Sequence, residues 1–363
     1  MPHRRQDRHE PKKVVYLWGA GATQAEIDYQ GSAINLTMMD DDKLGIGVAT
    51  RILEQLPSKW RSSFSTDLGT DIEKLISLLA TSNVALYEDL ANQLRKLYFQ
   101  DICRSLATAK VLDNPSLAIC LLELHHIKAL GTHELLSGII TTNHDGLLQV
   151  AAQAVHGSIN IGISFDSERL TSSNNGSALL LQLHGSFTWT FGLPLNVSPL
   201  RKTSGYDSST VWIPPTILKE SKHYPFNKLA GLAYELLSKD CDILRIVGSS
   251  LAQNDWNIVS MIFNAQRHRE LKKQRPFRVE LIVPFEVGQG ITKSCSYLKN
   301  LTPINQLTEG DFGDYDSEEA TTHDMKNPLF YWMKEKIQFH RRRGDLGSDP
   351  LPPRLADILG DAP

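Results

Sequence analysis

A short apolar run that stops dead at glycine sets the start of this fold. Lys13 to Trp18 reads as a buried strand, Gly19-Ala20-Gly21-Ala22-Thr23 follows at once, and helical sequence comes next. Strand, glycine-rich turn and helix open nucleotide-binding α/β folds, because the turn sets backbone N–H groups and a helix N-terminus just beyond the strand. The same punctuation recurs three times. Gly138 to Thr142 runs into Thr141-Thr142-Asn143-His144-Asp145, Leu179 to Leu183 into His184-Gly185-Ser186, and Ile243 to Val247 into Gly248-Ser249-Ser250-Leu251. Ile159 to Ile163 and Val279 to Val283 read as two more strands. Strands alternating with helices predict an α/β fold: a Rossmann-like parallel sheet flanked by helices. In such a sheet the four polar turns converge on one edge, where ligands bind.

Residues 45–130 break the alternation. Ile72, Leu75, Ile76 and Leu79 fall at i, i+3, i+4 and i+7, and Leu86, Leu90, Leu94 and Leu97 continue at similar spacing. Amphipathic helices in succession predict a helical insertion after the first βα unit. Its faces suit self-assembly or a partner, with a solvated surface as the plainer reading. Further on, a helix runs from Gly146 to about Val155, and Asn174-Asn175-Gly176 marks a turn. Residues 191–222, rich in Pro, Ser, Gly and Lys, read as a long loop or lid. Phe226, Leu229, Ala230, Ala233, Leu236 and Leu237 share one helix face, and Asn254 or Asp255 can cap the helix carrying Ile258, Val259, Ile262 and Phe263. The expected layout is a flexible basic arm at 1–12, one α/β domain at 13–300, and a C-terminal portion at 301–363. That portion holds seven acidic residues and no Lys or Arg between Glu309 and Asp324, then a helix from Pro328 to Phe339, then a proline-rich tail expected to be loose.

Composition removes several function classes. Lys+Arg total 38 against 41 Asp+Glu, so a net charge of −3 gives no global case for nucleic-acid binding. Only Arg4-Arg5 and Arg341-Arg342-Arg343 leave that contact open locally, and solvated tails are the plainer reading. Cys103, Cys120, Cys241 and Cys295 form no CxxC pair, which predicts no zinc ribbon and no disulfide framework, only core cysteines. No apolar run approaches the roughly 20 residues that span a bilayer, and the basic start lacks an apolar signal segment. A cytoplasmic protein without a membrane anchor is expected.

Each polar turn carries a chemical reading beside a structural one. Gly19, Ala20, Gly21 and Thr23 suit phosphate binding at a helix N-terminus, although Gln24 stands where a third glycine is usual. A bare strand-to-helix turn has the same sequence. Thr142, Asn143 and Asp145 are placed for chemistry, and an Asn/Asp helix cap is the alternative. His184 suits a general base, since an imidazole with an ordinary pKa of about 6.5 accepts protons near neutrality. A structural histidine is the alternative. Gly248 and Ser249 admit a ribose or phosphate closely, and Asp255 caps a helix or accepts a ribose hydroxyl.

The four motifs in this order resemble the sirtuin-like, silent-information-regulator type of NAD-consuming domain, over roughly residues 13–285. Gly19-Ala20-Gly21-Ala22-Thr23 is similar to that family's glycine turn, Thr141-Thr142-Asn143-His144-Asp145 to its T-x-N-x-D motif, His184-Gly185 to its His-Gly pair, and Gly248-Ser249-Ser250-Leu251 to its late G-T/S-S-L segment. Two features depart from it. Residues 186–245 hold only Cys241, so the two CxxC pairs of the deacylases are missing, and Asp28-Tyr29-Gln30 lies near where a Pro-Asp-Phe-Arg segment is usual. With the helical insertion, these departures are most like the NAD hydrolase effectors of bacterial anti-phage systems.

The resemblance implies NAD+ as substrate and no metal. It implies that Asn143 holds the ribose hydroxyls and the attacking water, Asp145 orients the nicotinamide carboxamide, and His184 is the base. It places Gly19, Ala20, Gly21, Thr23 and Thr142 with Gly248 and Ser249 around the cofactor. It also implies a gated effector, a homo-oligomer, and a trigger in the form of an ATPase, an Argonaute-like protein or a phage component. The rival readings are an NAD-dependent protein deacylase and a non-catalytic module that binds NAD or ADP-ribose within a larger complex.

Overall fold

The computed structural model describes residues 10–38, 40, 42, 45–64, 72–126, 134–158, 160–163, 179–190, 196–197, 210–216, 222–251, 255–306, 327–342 and 351–360. The turn expected at Asn174-Asn175-Gly176, the acidic stretch 309–324 and residues 1–9 of the basic arm lie outside them. In chain order the strands are β1 (Lys12–Trp18), β2 (Glu134–Thr141), β3 (Leu179–Gln182), β4 (Gly185–Thr190), β5 (Asn196–Val197), β6 (Thr210–Trp212), β7 (Ile243–Val247), β8 (Arg278–Ile282) and β9 (Leu301–Pro303). Six of them form the expected parallel sheet, in the order β3-β2-β1-β7-β8-β9. β1 lies inside it, and Val14 to Trp18 are buried on both faces, as strands of a doubly covered parallel sheet must be.

Side chains alternate across that sheet. Val14, Tyr16 and Trp18 enter one core, and Val15 and Leu17 the other. The first core is closed by helix α1 (Ala20–Tyr29) and by the insertion: α2 (Val48–Glu54), α3 (Ser58–Phe64), α4 (Ile72–Ala80), α5 (Ala85–Ala109) and α6 (Ser116–Leu124). Helix α7 (Leu147–His156) joins them. The second core is closed by α8 (Phe226–Lys239), α9 (Trp256–Leu271) and α10 (Phe285–Ser294). The insertion is therefore helical where its apolar spacing predicts. Glu26 ties it to α1: its carboxylate accepts the amides of Leu117 (3.1 Å) and Ala118 (3.0 Å) in the first turn of α6. A carboxylate suits the positive end of a helix.

Three expectations need correction. Ile159 to Ile163 does not form a strand. A single bridge joins Asn160 to Leu179, and Gly162 has φ +72, which breaks an extended backbone. Residues 191–222 are not simply a loop, because β5 and β6 pair antiparallel with β4 in a second sheet of order β5-β4-β6. The helix expected from Pro328 to Phe339 is present, but the proline-rich tail is not loose where it is described, because Pro353–Leu359 is a helix. β9 extends the sheet, and α11 (Pro328–Arg342) and α12 (Pro353–Leu359) bury Leu329, Trp332, Met333, Ile337, Leu355 and Ile358 in the first core. Alternating proline and apolar residues look loose in sequence, yet Pro at the first turn of α12 is compatible with a helix.

Helix α11 is fastened by buried charge. Arg245 of β7 makes a two-pronged pair with Glu134 (2.7 and 2.7 Å) and donates from Nε to Glu280 (2.7 Å). Lys336 of α11 donates to the same Glu134 carboxylate at 2.8 Å, and the Arg245 guanidinium stacks over Trp332 at 4.7 Å. Burial pushes Glu134 upward, but Arg245 and Lys336 outweigh it and hold the carboxyl well below its usual range. The four cysteines are free and buried, and burial pushes the Cys103 and Cys120 thiols up to about 12. Among the described residues no helix is long and apolar enough to cross a membrane.

Candidate active site

The carboxyl ends of β1, β2 and β7 meet, and their turns interlock. Thr141 Oγ1 donates to the Trp18 carbonyl (2.8 Å) and accepts from the Asn143 amide (3.0 Å), so one hydroxyl ties the end of β2 to the end of β1. Asn143 Nδ2 donates to Thr23 Oγ1 at 3.0 Å, and Thr23 Oγ1 donates to Asp145 Oδ2 at 2.8 Å. Asp145 Oδ1 accepts the Leu147 amide at 3.1 Å at the entry to α7. Thr23, Asn143 and Asp145 are all buried. The structural role expected for Asp145 is thus real, and it uses one oxygen. The other oxygen joins the triangle with Thr23 and Asn143.

Burial pushes the Asp145 carboxyl above its usual value, and the hydrogen bonds from Thr23, Leu147 and Asn143 pull against that. No cation pairs with it among the described residues. Glu26 is likewise buried among neutral donors with its carboxyl raised, so what sets Asp145 apart is its place beyond the strand ends, among the polar turns.

The glycine turn lies against the end of β7. Gly19 N donates to Val247 O and Gly21 N to Gly248 O, both at 2.8 Å, while Ala22 N donates to Gly19 O at 3.0 Å. These three amides hold protein carbonyls, so Gly19 and Gly21 act here first as the surface that lets two backbones touch. Gly248 has φ +61, and a methyl group on it would lie 1.9 Å from Ala22 N. Ser249 stands beside Gly19 in the same contact, and Thr142 is half-buried between Thr141 and Asn143. Ala20 opens α1. The structure therefore brings Gly19, Ala20, Gly21, Thr23, Thr142, Asn143, Asp145, Gly248 and Ser249 to one edge. Asp255 stands at the N-cap of α9 without a side-chain capping hydrogen bond, and Asn254 is outside the described residues.

His184 is buried in the two-residue turn that links β3 to β4, so it sits where one sheet hands over to the other. Its ring centroid lies 6.1 Å from that of His144. Ile213, just after β6, pins both residues: its N–H donates to the His184 carbonyl (2.8 Å) and its carbonyl accepts from His144 Nε2 (2.7 Å).

Several neighbours were not foreseen from sequence. Thr188 Oγ1 donates to Gln149 Oε1 (2.7 Å), Gln149 Nε2 to Gln182 Oε1 (2.6 Å), and Gln182 Nε2 to the Asp145 carbonyl (3.4 Å). Ser186 Oγ donates to the His144 carbonyl at 3.2 Å. The signal was present at Gln182, a glutamine closing the apolar run Leu179-Leu180-Leu181, because a buried amide must have partners. Among the described residues no cluster of three or more His, Cys, Asp or Glu is arranged to hold a metal. No protein-family model matches the chain, and no curated protein matches it significantly.

Proposed function

We propose that this chain is an NAD+ hydrolase that cleaves the bond between nicotinamide and ribose, giving nicotinamide and ADP-ribose. The observation that carries the reading is the buried Thr23–Asn143–Asp145 triangle, which joins the glycine turn of β1 to the polar turn of β2 beside His184. The ordered set of motifs that resembles the sirtuin-like family supports it. In the reaction, the C1′–N bond breaks and its electron pair leaves with nicotinamide, which departs neutral. Positive charge develops on the ribose as in other glycosyl transfers. The water oxygen bonds to C1′, and its proton passes to His184. Asn143 offers an amide to the ribose hydroxyls or the water, and Asp145 faces the carboxamide.

Within this reading the enzyme is a gated effector of anti-phage defence, working as a homo-oligomer or beside an ATPase, an Argonaute-like protein or a phage component. The need for a gate follows from the damage unregulated NAD+ loss does to a cell. The test is nicotinamide release from NAD+ by the purified protein, with His184→Ala alongside and with an acyl-lysine peptide added or withheld. Peptide-independent release, reduced about 10²–10⁴-fold in a folded His184→Ala protein, is expected. Release that requires the peptide replaces the reading with a deacylase. Tight NAD+ binding in a calorimetric titration without release replaces it with a binding module.

A further inference from the structure

The helical insertion reaches the histidines of the site. Tyr98 of α5 stacks on Trp212 of β6, with ring centroids 6.0 Å apart and planes 5° from parallel. Phe99, its neighbour, meets Phe187 of β4 edge-on at 4.5 Å. Phe187 in turn stacks on His144 at 5.2 Å, 17° from parallel, and Trp212 meets His144 edge-on at 5.1 Å. Trp212 is followed directly by Ile213, whose amide and carbonyl hold His184 and His144. Two adjacent aromatic residues of one insertion helix thus press on β4 and β6, which pair beside the histidine turn, and Tyr98 also meets the His144 ring edge-on at 6.2 Å.

We infer that Tyr98 is a positioning residue for His144 and His184, acting through its stack on Trp212 and the backbone of Ile213. The inference rests on the NAD+ hydrolase reading for its catalytic consequence, but its geometric content stands apart from that reading. β6 is a strand of three residues, and a strand this short has few ladder bonds to fix it. Aromatic stacking adds about 0.5–1.5 kcal/mol beyond area burial, enough to decide which of two nearby positions such a strand occupies. Removing the Tyr98 ring frees Trp212 to turn, and Ile213 moves with it. His184 then loses its alignment, and a displacement of about 1 Å from a distant change can cost as much as 10²-fold in rate. The hydroxyl has no part in the stack, so phenylalanine should serve as well as tyrosine.

The experiment compares full-length wild type, Tyr98→Ala and Tyr98→Phe by two readouts. The first is steady-state nicotinamide release from NAD+ across pH. Tyr98→Ala is expected to lower kcat about tenfold or more with KM within about twofold, and to displace the limb of the pH profile that reports the base. Tyr98→Phe is expected to stay within about twofold of wild type with an unmoved profile. The second readout needs no activity: the imidazole ring resonances of His144 and His184, assigned by comparison with His144→Gln and His184→Ala. The His184 resonances decide, because Tyr98 itself meets the His144 ring edge-on at 6.2 Å and its removal shifts that ring directly; they should shift in Tyr98→Ala and hold still in Tyr98→Phe. Unmoved His184 resonances in a folded Tyr98→Ala protein overturn the inference. So does a loss of rate with an unmoved pH profile that Tyr98→Phe shares. If wild type releases no nicotinamide while Tyr98→Ala shows the expected resonance shifts against it, the coupling stands and only an ungated hydrolase is ruled out.

Discussion

Two buried polar clusters share this sheet, and they treat a carboxylate in opposite ways. Around Arg245, Glu134 and Glu280 are paired with three cations, Arg245, Lys336 and Arg278, and both carboxyls lie below their usual range despite burial. Around Thr23, Asp145 is buried with only hydroxyl and amide donors, and its carboxyl lies above its usual range. The first arrangement offsets desolvation with opposite charge and spans β7, β2, β8 and α11, so it joins parts of the fold. The second leaves part of that cost standing. Glu26 carries the same cost for a structural contact, and at Asp145, on the hydrolase reading, a ligand that brings positive charge would relieve it. The nicotinamide ring of NAD+ is such a ligand.

The comparison breaks hardest at Arg245. Arg245→Met leaves Glu134 with Lys336 and Glu280 with Arg278 as their remaining cations, and breaking a buried pair this way costs up to about 3–5 kcal/mol. A lower midpoint in urea unfolding, with α11 losing protection first in hydrogen exchange, is expected. A midpoint close to wild type would show that the cluster holds nothing together. Gly248→Ala comes next. The new methyl forces the β7 turn away from Ala22, and overpacking of this kind costs about 1–3 kcal/mol. Thermal unfolding measures it, and a variant of wild-type stability would mean the two turns part freely.

The smallest effect is the most telling, because its sign differs between the clusters. Glu134 has a depressed pKa in the folded state, so its contribution is present above the ordinary carboxylate value and is lost as pH falls. Glu134→Gln should therefore be less stable than wild type at neutral pH, and the gap should close in acid. Asp145 has a raised pKa, so its protonated form stabilises the fold in acid, and that contribution is lost as pH rises through the raised value. Asp145→Asn should be at least as stable as wild type at pH 7, with its advantage shrinking toward acid while nicotinamide release falls. Parallel melting curves across pH for both variants check this. Gaps of the same sign would remove the distinction.

Much of the sheet was legible because buried parallel strands are written as apolar runs that end at small or polar residues. β1 runs apolar from Val14 to Trp18, β7 and β8 are each interrupted by one charged residue, Arg245 and Glu280, and the four polar turns sit after β1, β2, β3 and β7. β5 and β6 were not legible. They are two and three residues long, lie among Ser, Pro and Gly, and owe their strand geometry to β4. Of the site, the side chains that follow strands were readable one by one. The triangle among them was not, since Thr23 and Asp145 are separated by 122 residues. The aromatic bridge from α5 was invisible for a related reason. Tyr98 and Phe99 sit in an amphipathic helix whose apolar face predicts burial but not the neighbour that buries it.

The strand order also bears on how the molecule comes to be made. β1 emerges first from the ribosome, yet one of its two neighbours is β7, and the bond from Arg245 to Tyr16 closes 229 residues of chain. Until Ile243–Val247 has been translated, one flank of β1 is an unsatisfied ladder of the sort that recruits other chains. Lys336 and Trp332 complete the same region later still. Completion of the sheet around β1 thus waits on β7 and then on α11, which makes translation speed and chaperone supply part of this protein's physical chemistry.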